Sequence, residues 1–401
     1  MSEKLMSNVK QSTSSIGAET ALTHVGRDAN RQYGFVNTPV VRGSTVLFES
    51  FEDLQAGKSG YGYGRHGNPT NDAVKEVITH LEGANETFLT PSGLSAISTA
   101  LTAVAHAGDH ILISDSAYLP TRQFCESVLR ANNIEVEYYD PRIGKRISAL
   151  LRDNTTAILT ESPGSLTFEV QDLPAIATAR GDRDIAIIAD NSWATPLFYK
   201  PLELGADIVV HAGTKMFVGH SDVLFGTIST NEKWTDKIRT TYKALGVCVS
   251  PEDSFLVARG LRTLSIRMKE HQTRALDIAK WLEKQPVVQK VFHPALAQHP
   301  DHKIFMRDFT GSGSLFAFTL KSAPEKAIAA MLNQMRLFGM GYSWGGFESL
   351  ILPISINDQR SVTKWREAGN LFRIHVGLED INDLKSDLGD AIERYCSSAG
   401  F

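Results

Sequence analysis

The sequence predicts an α/β fold: a mostly parallel seven-stranded sheet between helices, preceded by an N-terminal arm and followed by a smaller α+β unit. Three observations carry this. Short β-branched runs alternate with helical stretches from about residue 70. The alternation ends in one long helical pattern that opens at Ser250. From about residue 286 strand and helix patterns are mixed. Apolar runs of four to seven residues bounded by turn signals read as strands covered on both faces, as in parallel sheets. A chain of 401 residues is too long for one simple domain, and the changes of pattern divide it into an arm (1–60), a large unit (61–259) and a C-terminal unit with its linking helix (260–401).

Taken in order, residues 1–60 are polar and spotted with Gly and Ser, and read as extended. "ETFLT" is the first predicted strand and leads through "PSG" into the helix "LSAISTALTAVAHAG". "HILIS", the helical "AYLPTRQFCESVLRANN" and "IEVEYY" follow, and then "TAILTES", "DIAIIAD", "ADIVVHA" and "VLFGTIS". The helix that ends this series starts well: Ser250 is a cap, Pro251 takes the first position, and Glu252 and Asp253 lie at the positive end of the dipole. Beyond it "GSLFAFTL" and "LFRIHVGL" read as strands, "EKAIAAMLNQM" as a helix, and a last helix closes the chain.

Composition excludes several classes. With 42% hydrophobic and 21% charged residues the chain is an ordinary soluble globular sequence. Its net charge of -4 is spread out, leaving no basic stripe for nucleic acid and no polybasic anchor for a membrane. "MSEKLMSNVKQSTSS" has no apolar core, so no signal peptide is expected, and no segment is long and apolar enough to span a bilayer. Cys125, Cys248 and Cys396 form no CxxC pair, which fits a reducing cytoplasm and neither a disulfide framework nor zinc. His293, His299 and His302 in "FHPALAQHPDH" lack helical spacing and are broken by prolines, so they read as a surface loop and no metal is expected.

In open α/β sheets ligands bind beyond the carboxyl ends of the strands, and four groups of residues stand there. "TPSGLSAIS" places free N–H groups at a helix N-terminus, suited to a phosphate or to a plain capped connection. Asp190 ends the apolar "DIAIIAD", where a carboxylate needs a cation, donors or a helix to cap. Lys215 follows "ADIVVHAGT", 25 residues after Asp190, a spacing that suits a strand–helix–strand connection. A lysine partly withdrawn from water becomes a nucleophilic amine, whereas a solvated one is an ordinary surface group. Arg373, between Phe372 and Ile374, needs either a bound planar carboxylate or an internal salt bridge.

Together with "YGYGRHGNPT", "VGHSD" and "RGLRTL", these residues resemble the pyridoxal-phosphate enzymes of cysteine and methionine metabolism, which have the aminotransferase-like fold called fold type I. The resemblance runs from about Gly17 to the C-terminal helix, and "GYSWGGFESLI" is most similar to the branch that cleaves cystathionine by β-elimination. It implies that Lys215 holds pyridoxal 5'-phosphate covalently and that Asp190 pairs with the pyridine nitrogen. Tyr118 would stack on the ring, Gly93 and Leu94 would give backbone N–H groups to the phosphate, and Thr214 would give it a hydroxyl. Tyr63 and Arg65 would reach the phosphate from a second subunit, implying a homodimer with shared sites, or a tetramer of two such dimers. Ser343, Trp344 and Arg373 would hold the substrate's α-carboxylate, and Lys215, Tyr118 and Tyr63 would move protons.

Three positions depart from the pattern. Ala212 stands where many relatives carry a phosphate-contacting serine, His66 stands where some carry a second arginine, and "YLPTRQ" offers Arg122 and Gln123 where some carry an acid. The implied reaction releases homocysteine, pyruvate and ammonia from cystathionine. The alternatives are a γ-synthase or γ-lyase, a broad cysteine-conjugate lyase or desulfhydrase, and, more distantly, a non-catalytic amino-acid-binding module.

Overall fold

The computed structural model describes residues 16–57, 60–356 and 359–401; the N-terminal segment read above for a signal peptide lies wholly outside them. Seven strands make the main sheet: β1 (Glu86–Thr90), β2 (His110–Ser114), β3 (Glu135–Tyr139), β4 (Thr155–Glu161), β5 (Ala186–Asp190), β6 (Ile208–His211) and β7 (Gly226–Thr230). Their spatial order is β1-β7-β6-β5-β4-β2-β3. β3, β2, β4, β5 and β6 run parallel, and β7 is antiparallel to both its neighbours. Every residue of β2, β6 and β7 is buried, as strands covered on both faces must be. One face packs under helices Gly93–Val104 and Glu232–Ala244, where Ile97, Leu101, Trp234 and Ile238 meet Ile113, Ile188 and Val210.

A second sheet holds β8 (Val288–Phe292), β9 (Leu315–Leu320), β10 (Leu350–Ile354) and β11 (Asn370–His375) in the order β10-β11-β9-β8, all antiparallel. Phe316, Phe318 and Phe372 point from it into a core closed by Leu384, Leu388 and Tyr395 of helix Ile381–Ala399. The two halves share a third apolar cluster. There Trp193, in the turn that follows β5, meets Phe305 and Phe309 and donates its indole N–H to the Leu315 carbonyl at 2.8 Å.

The structure departs from the sequence reading in three places. The stretch expected to be extended contains helix Ala18–His24, whose Ala21 and Leu22 pack with Val74, Val77 and Leu264. The helical pattern opening at Ser250 begins with the predicted cap, Ser250 Oγ accepting the Asp253 N–H, but splits into Pro251–Leu261 and Leu264–Leu282 around Thr263. At that break the buried Arg267 donates to the carbonyls of Met216, Phe217 and Gly260, so the helices grip the loop that follows Lys215. A methyl on Gly260 would come within 2.4 Å of the Phe217 carbonyl oxygen, which is why glycine stands there. Finally, the histidine loop is not a surface loop: His293 and His299 are buried, and His293 lies against Trp193 and Phe316. Its apolar burial holds His293 neutral, with a pKa pushed down to about 3. Among the described residues no cluster could hold a metal ion, and no helix is long and apolar enough to cross a membrane.

Candidate functional site

β5 and β6 are parallel neighbours, with Asp190 opposite Val210. The chain leaves β6 at His211 and turns, so that Asp190 and Lys215 emerge at the same edge of the sheet. Lys215 Nζ donates to Ser343 Oγ at 2.6 Å and stands 5.5 Å from the centre of the Trp344 ring. Burial, followed by the positive field of Arg373, pushes its pKa down to about 8, against the opposing pull of Asp190. At neutral pH a usable fraction of such an amine is unprotonated, as a nucleophile or base requires.

Asp190 caps no helix. Its Oδ1 accepts the Ser192 hydroxyl at 2.6 Å and the Ser192 N–H at 2.9 Å, and Ser192 Oγ in turn accepts the Ala212 N–H at 2.7 Å. Ser192, which the sequence reading passed over, thus ties the ends of β5 and β6 together beneath the site. Burial raises the Asp190 pKa; the Ser192 donors, His211 and Lys215 oppose the shift.

Helix Gly93–Val104 points its N-terminus at the same edge, with Ser92 Oγ capping the Ser95 N–H. The first N–H groups of a helix have no partners within it, so those of Gly93 and Leu94 are free to meet an anion. A methyl on Gly93 would stand 2.5 Å from the Ala212 Cβ, so the helix end and the turn before Lys215 are in direct contact. Thr214 is already engaged: its hydroxyl donates to the Phe225 carbonyl at 3.1 Å and accepts the Phe225 N–H at 2.8 Å.

The opposite wall comes from the second sheet. Arg373 lies mid-strand in β11, paired with Leu352 and Ala317. Its Nη2 donates to the carbonyls of Gly341 and Ser343, and among the described residues no carboxylate pairs with it, so the internal salt bridge is not formed. Two residues on, His375 is buried and contacts Gly345 N at 3.3 Å, Gly346 O at 3.1 Å and Ser314 Oγ at 2.7 Å. Burial beside His271 pushes its pKa down to about 3, so it is neutral. β11 therefore supports the whole 341–346 loop. Within that loop Ser343 has a left-handed φ of 76°, and Gly345 sits so close to Lys215 that a methyl would come within 2.9 Å of its carbonyl carbon.

Tyr118 is exposed and stands above this floor. Burial of its hydroxyl raises its pKa, with Glu161 and Asp190 adding to the shift and Arg373 opposing it, so all three lie within its electrostatic reach. Tyr63 and Arg65 are not joined to this cluster by any hydrogen bond of the described residues. Both lie on the surface, with Arg65 donating to the Lys243 carbonyl at 3.2 Å and packing over the Tyr63 ring. His66 is exposed as well. Arg122, which stands where some relatives carry an acid, is buried on the Tyr138 ring and bonded to Asp115 and Ser361.

The site fits pyridoxal phosphate on its own chemistry. It offers a withdrawn amine, a carboxylate whose Oδ2 has no hydrogen-bond partner among the described residues, and an uncovered helix N-terminus.

Comparison with known proteins agrees. A family profile described as "Cys/Met metabolism PLP-dependent enzyme" matches residues 19–393. A Rhizobium johnstonii protein provisionally named a cystathionine beta-lyase is 46% identical over 93% of this chain and 95% of its own. The cystathionine beta-lyase of Haemophilus influenzae is 39% identical over 94% and 98%. The solved structure of cystathionine gamma synthase from Xanthomonas oryzae pv. oryzae, in complex with aminoacrylate and cysteine, superposes with a TM-score of 0.88 at 30% identity over 96% of this chain and 99% of that one.

Proposed function

Because the chain belongs to the family of PLP-dependent enzymes of Cys/Met metabolism, we propose that it is a carbon–sulfur lyase acting on L-cystathionine by β-elimination, which takes up one water and releases homocysteine, pyruvate and ammonia. One observation carries the reading. Lys215 has a pKa of about 8, lies one strand from Asp190, and bonds the loop that faces Arg373.

Bound pyridoxal phosphate supplies an electron-withdrawing ring that stabilises negative charge at the substrate's α-carbon. The residues of this chain do the rest. The Gly93 and Leu94 N–H groups and the helix dipole hold the phosphate, with Thr214 beside them. Asp190, fixed by Ser192, keeps a proton on the ring nitrogen through its free oxygen. Arg373 receives the α-carboxylate as a two-pronged partner, helped by Ser343 and the ring edge of Trp344. Lys215, once free, takes the α-proton. Lys215, Tyr118 or Tyr63 returns a proton to the departing thiolate.

The reading extends to a second copy of the chain. Leu47 is 85% exposed and Phe51 68%, and Tyr63 and Arg65 stand on the surface near them in sequence. These features support a homodimer in which Tyr63 and Arg65 complete the neighbouring site, with a tetramer as the further step. Residues 61–259 then bind the cofactor, residues 260–401 bind the substrate carboxylate, and three unpaired cysteines are in keeping with the cytoplasm.

The test is a product assay on cystathionine with the purified, cofactor-loaded protein. Pyruvate as the keto product is expected; 2-oxobutyrate in its place means γ-elimination and overturns the assignment.

A further inference from the structure

β4 ends on Glu161 as β5 ends on Asp190, and the two are in register on parallel neighbours. Paired residues of parallel strands project to the same face about 4.8 Å apart, so both carboxyls rise from one patch of floor. Two half-buried carboxyls at that spacing repel one another when both are charged, so the one with fewer donors is favoured to keep its proton.

Their partners are unequal. Asp190 has the Ser192 hydroxyl and N–H, with Lys215 and His211 in reach. Glu161 Oε2 accepts one N–H, that of Tyr118, at 2.7 Å. The cation whose field reaches it, Arg360, directs its own bonds elsewhere, to the Asp115 and Ser165 carbonyls and the Thr167 hydroxyl. Burial, with Asp190 alongside, drives the Glu161 pKa well above the usual carboxylate range. The bond to Tyr118 closes the geometry. Tyr118 directly precedes helix Leu119–Phe124 and has no side-chain cap of its own, so the Glu161 carboxyl ties its backbone to the sheet.

We propose that Glu161 is a positioning residue of this site: as an uncharged carboxylic acid it pins the Tyr118 turn over the floor and leaves Asp190 as the carboxylate that meets the cofactor ring. The Tyr118 part rests on the function proposed above; the pairing of the two carboxyls does not.

Glutamine is the faithful mimic, since its carbonyl accepts the same N–H without charge, whereas alanine removes the acceptor. In the cofactor-loaded protein, Glu161→Gln is expected to keep kcat/KM within about threefold and to leave the pH profile unmoved. Glu161→Ala is expected to lower kcat/KM by about tenfold or more. A readout independent of turnover is the infrared spectrum: wild type minus Glu161→Gln, with or without cofactor, should show loss of a protonated-carboxyl carbonyl band. Absence of that band, a shifted pH profile in Glu161→Gln, or an unchanged kcat/KM in Glu161→Ala each overturn the proposal. Failure of cystathionine to yield pyruvate in the wild type counts against the proposed function instead and leaves the infrared result standing.

Discussion

The two sheets present their functional residues in opposite ways. In the main sheet Glu161 and Asp190 are the last residues of their strands, and Lys215 lies just past β6. β5 and β6, the strands that carry Asp190 and lead to Lys215, are apolar up to their last residues. In the smaller sheet Arg373 sits inside β11, between the buried Phe372 and Ile374. The cause is coverage. A sheet packed on both faces accommodates small hydroxyl side chains such as Thr227 and Ser229 along its central strands but leaves room for charged ones only at the strand ends. A four-stranded antiparallel sheet has one face to its own core and one toward the site, so alternation along a strand suffices. On the proposed function the strand ends would supply chemistry, held by short bonds to neighbouring turns, and the mid-strand Arg373 would supply a rigid grip on substrate.

That division is open to attack by mutation. Its largest expected consequence is at the strand-end site: Lys215→Ala should lower kcat by about 10⁴-fold and abolish the visible absorbance of bound cofactor, followed by stopped assay and spectrum. Retained turnover would break the comparison outright. Next in size is the titration of the same amine. Its folded pKa is depressed, so the neutral fraction grows as pH rises through about 8 and not near the ordinary value of 10.5. Reductive trapping by pyridoxal phosphate in cofactor-stripped protein should follow that curve.

A mid-strand change should read differently. Arg373→Lys loses the two-pronged carboxylate match and is expected to raise KM by about tenfold to a hundredfold with kcat little altered. A fall in kcat alone would erase the distinction between the two sheets. The smallest effect belongs to His375→Ala, which leaves the 345–346 backbone without its partner. About 1–2 kcal/mol of lost hydrogen bonding should appear as a several-fold rise in KM and no change in the cofactor spectrum.

Much of the main sheet was legible, because buried parallel strands advertise themselves as β-branched runs and the 25-residue interval from Asp190 to Lys215 is one crossover. The Ser250 cap was equally plain. Glu161 was missed although its signal was the same as that of Asp190, an acid closing a very apolar run in "TAILTES". The histidine loop misled because prolines and histidines are common on surfaces, while here aromatic rings from both halves close over it. The split at Thr263 had no local signature, since it answers to the distant loop that Arg267 clasps. His375 was invisible for the same reason: its partners lie thirty residues away in the chain.

The clasp at Arg267 couples the linking helix to the loop that carries Lys215. Its guanidinium bolts the first turn of the linking helix to the two residues after Lys215. One side chain thus sets both where the linking helix starts and how the backbone runs on from the amine.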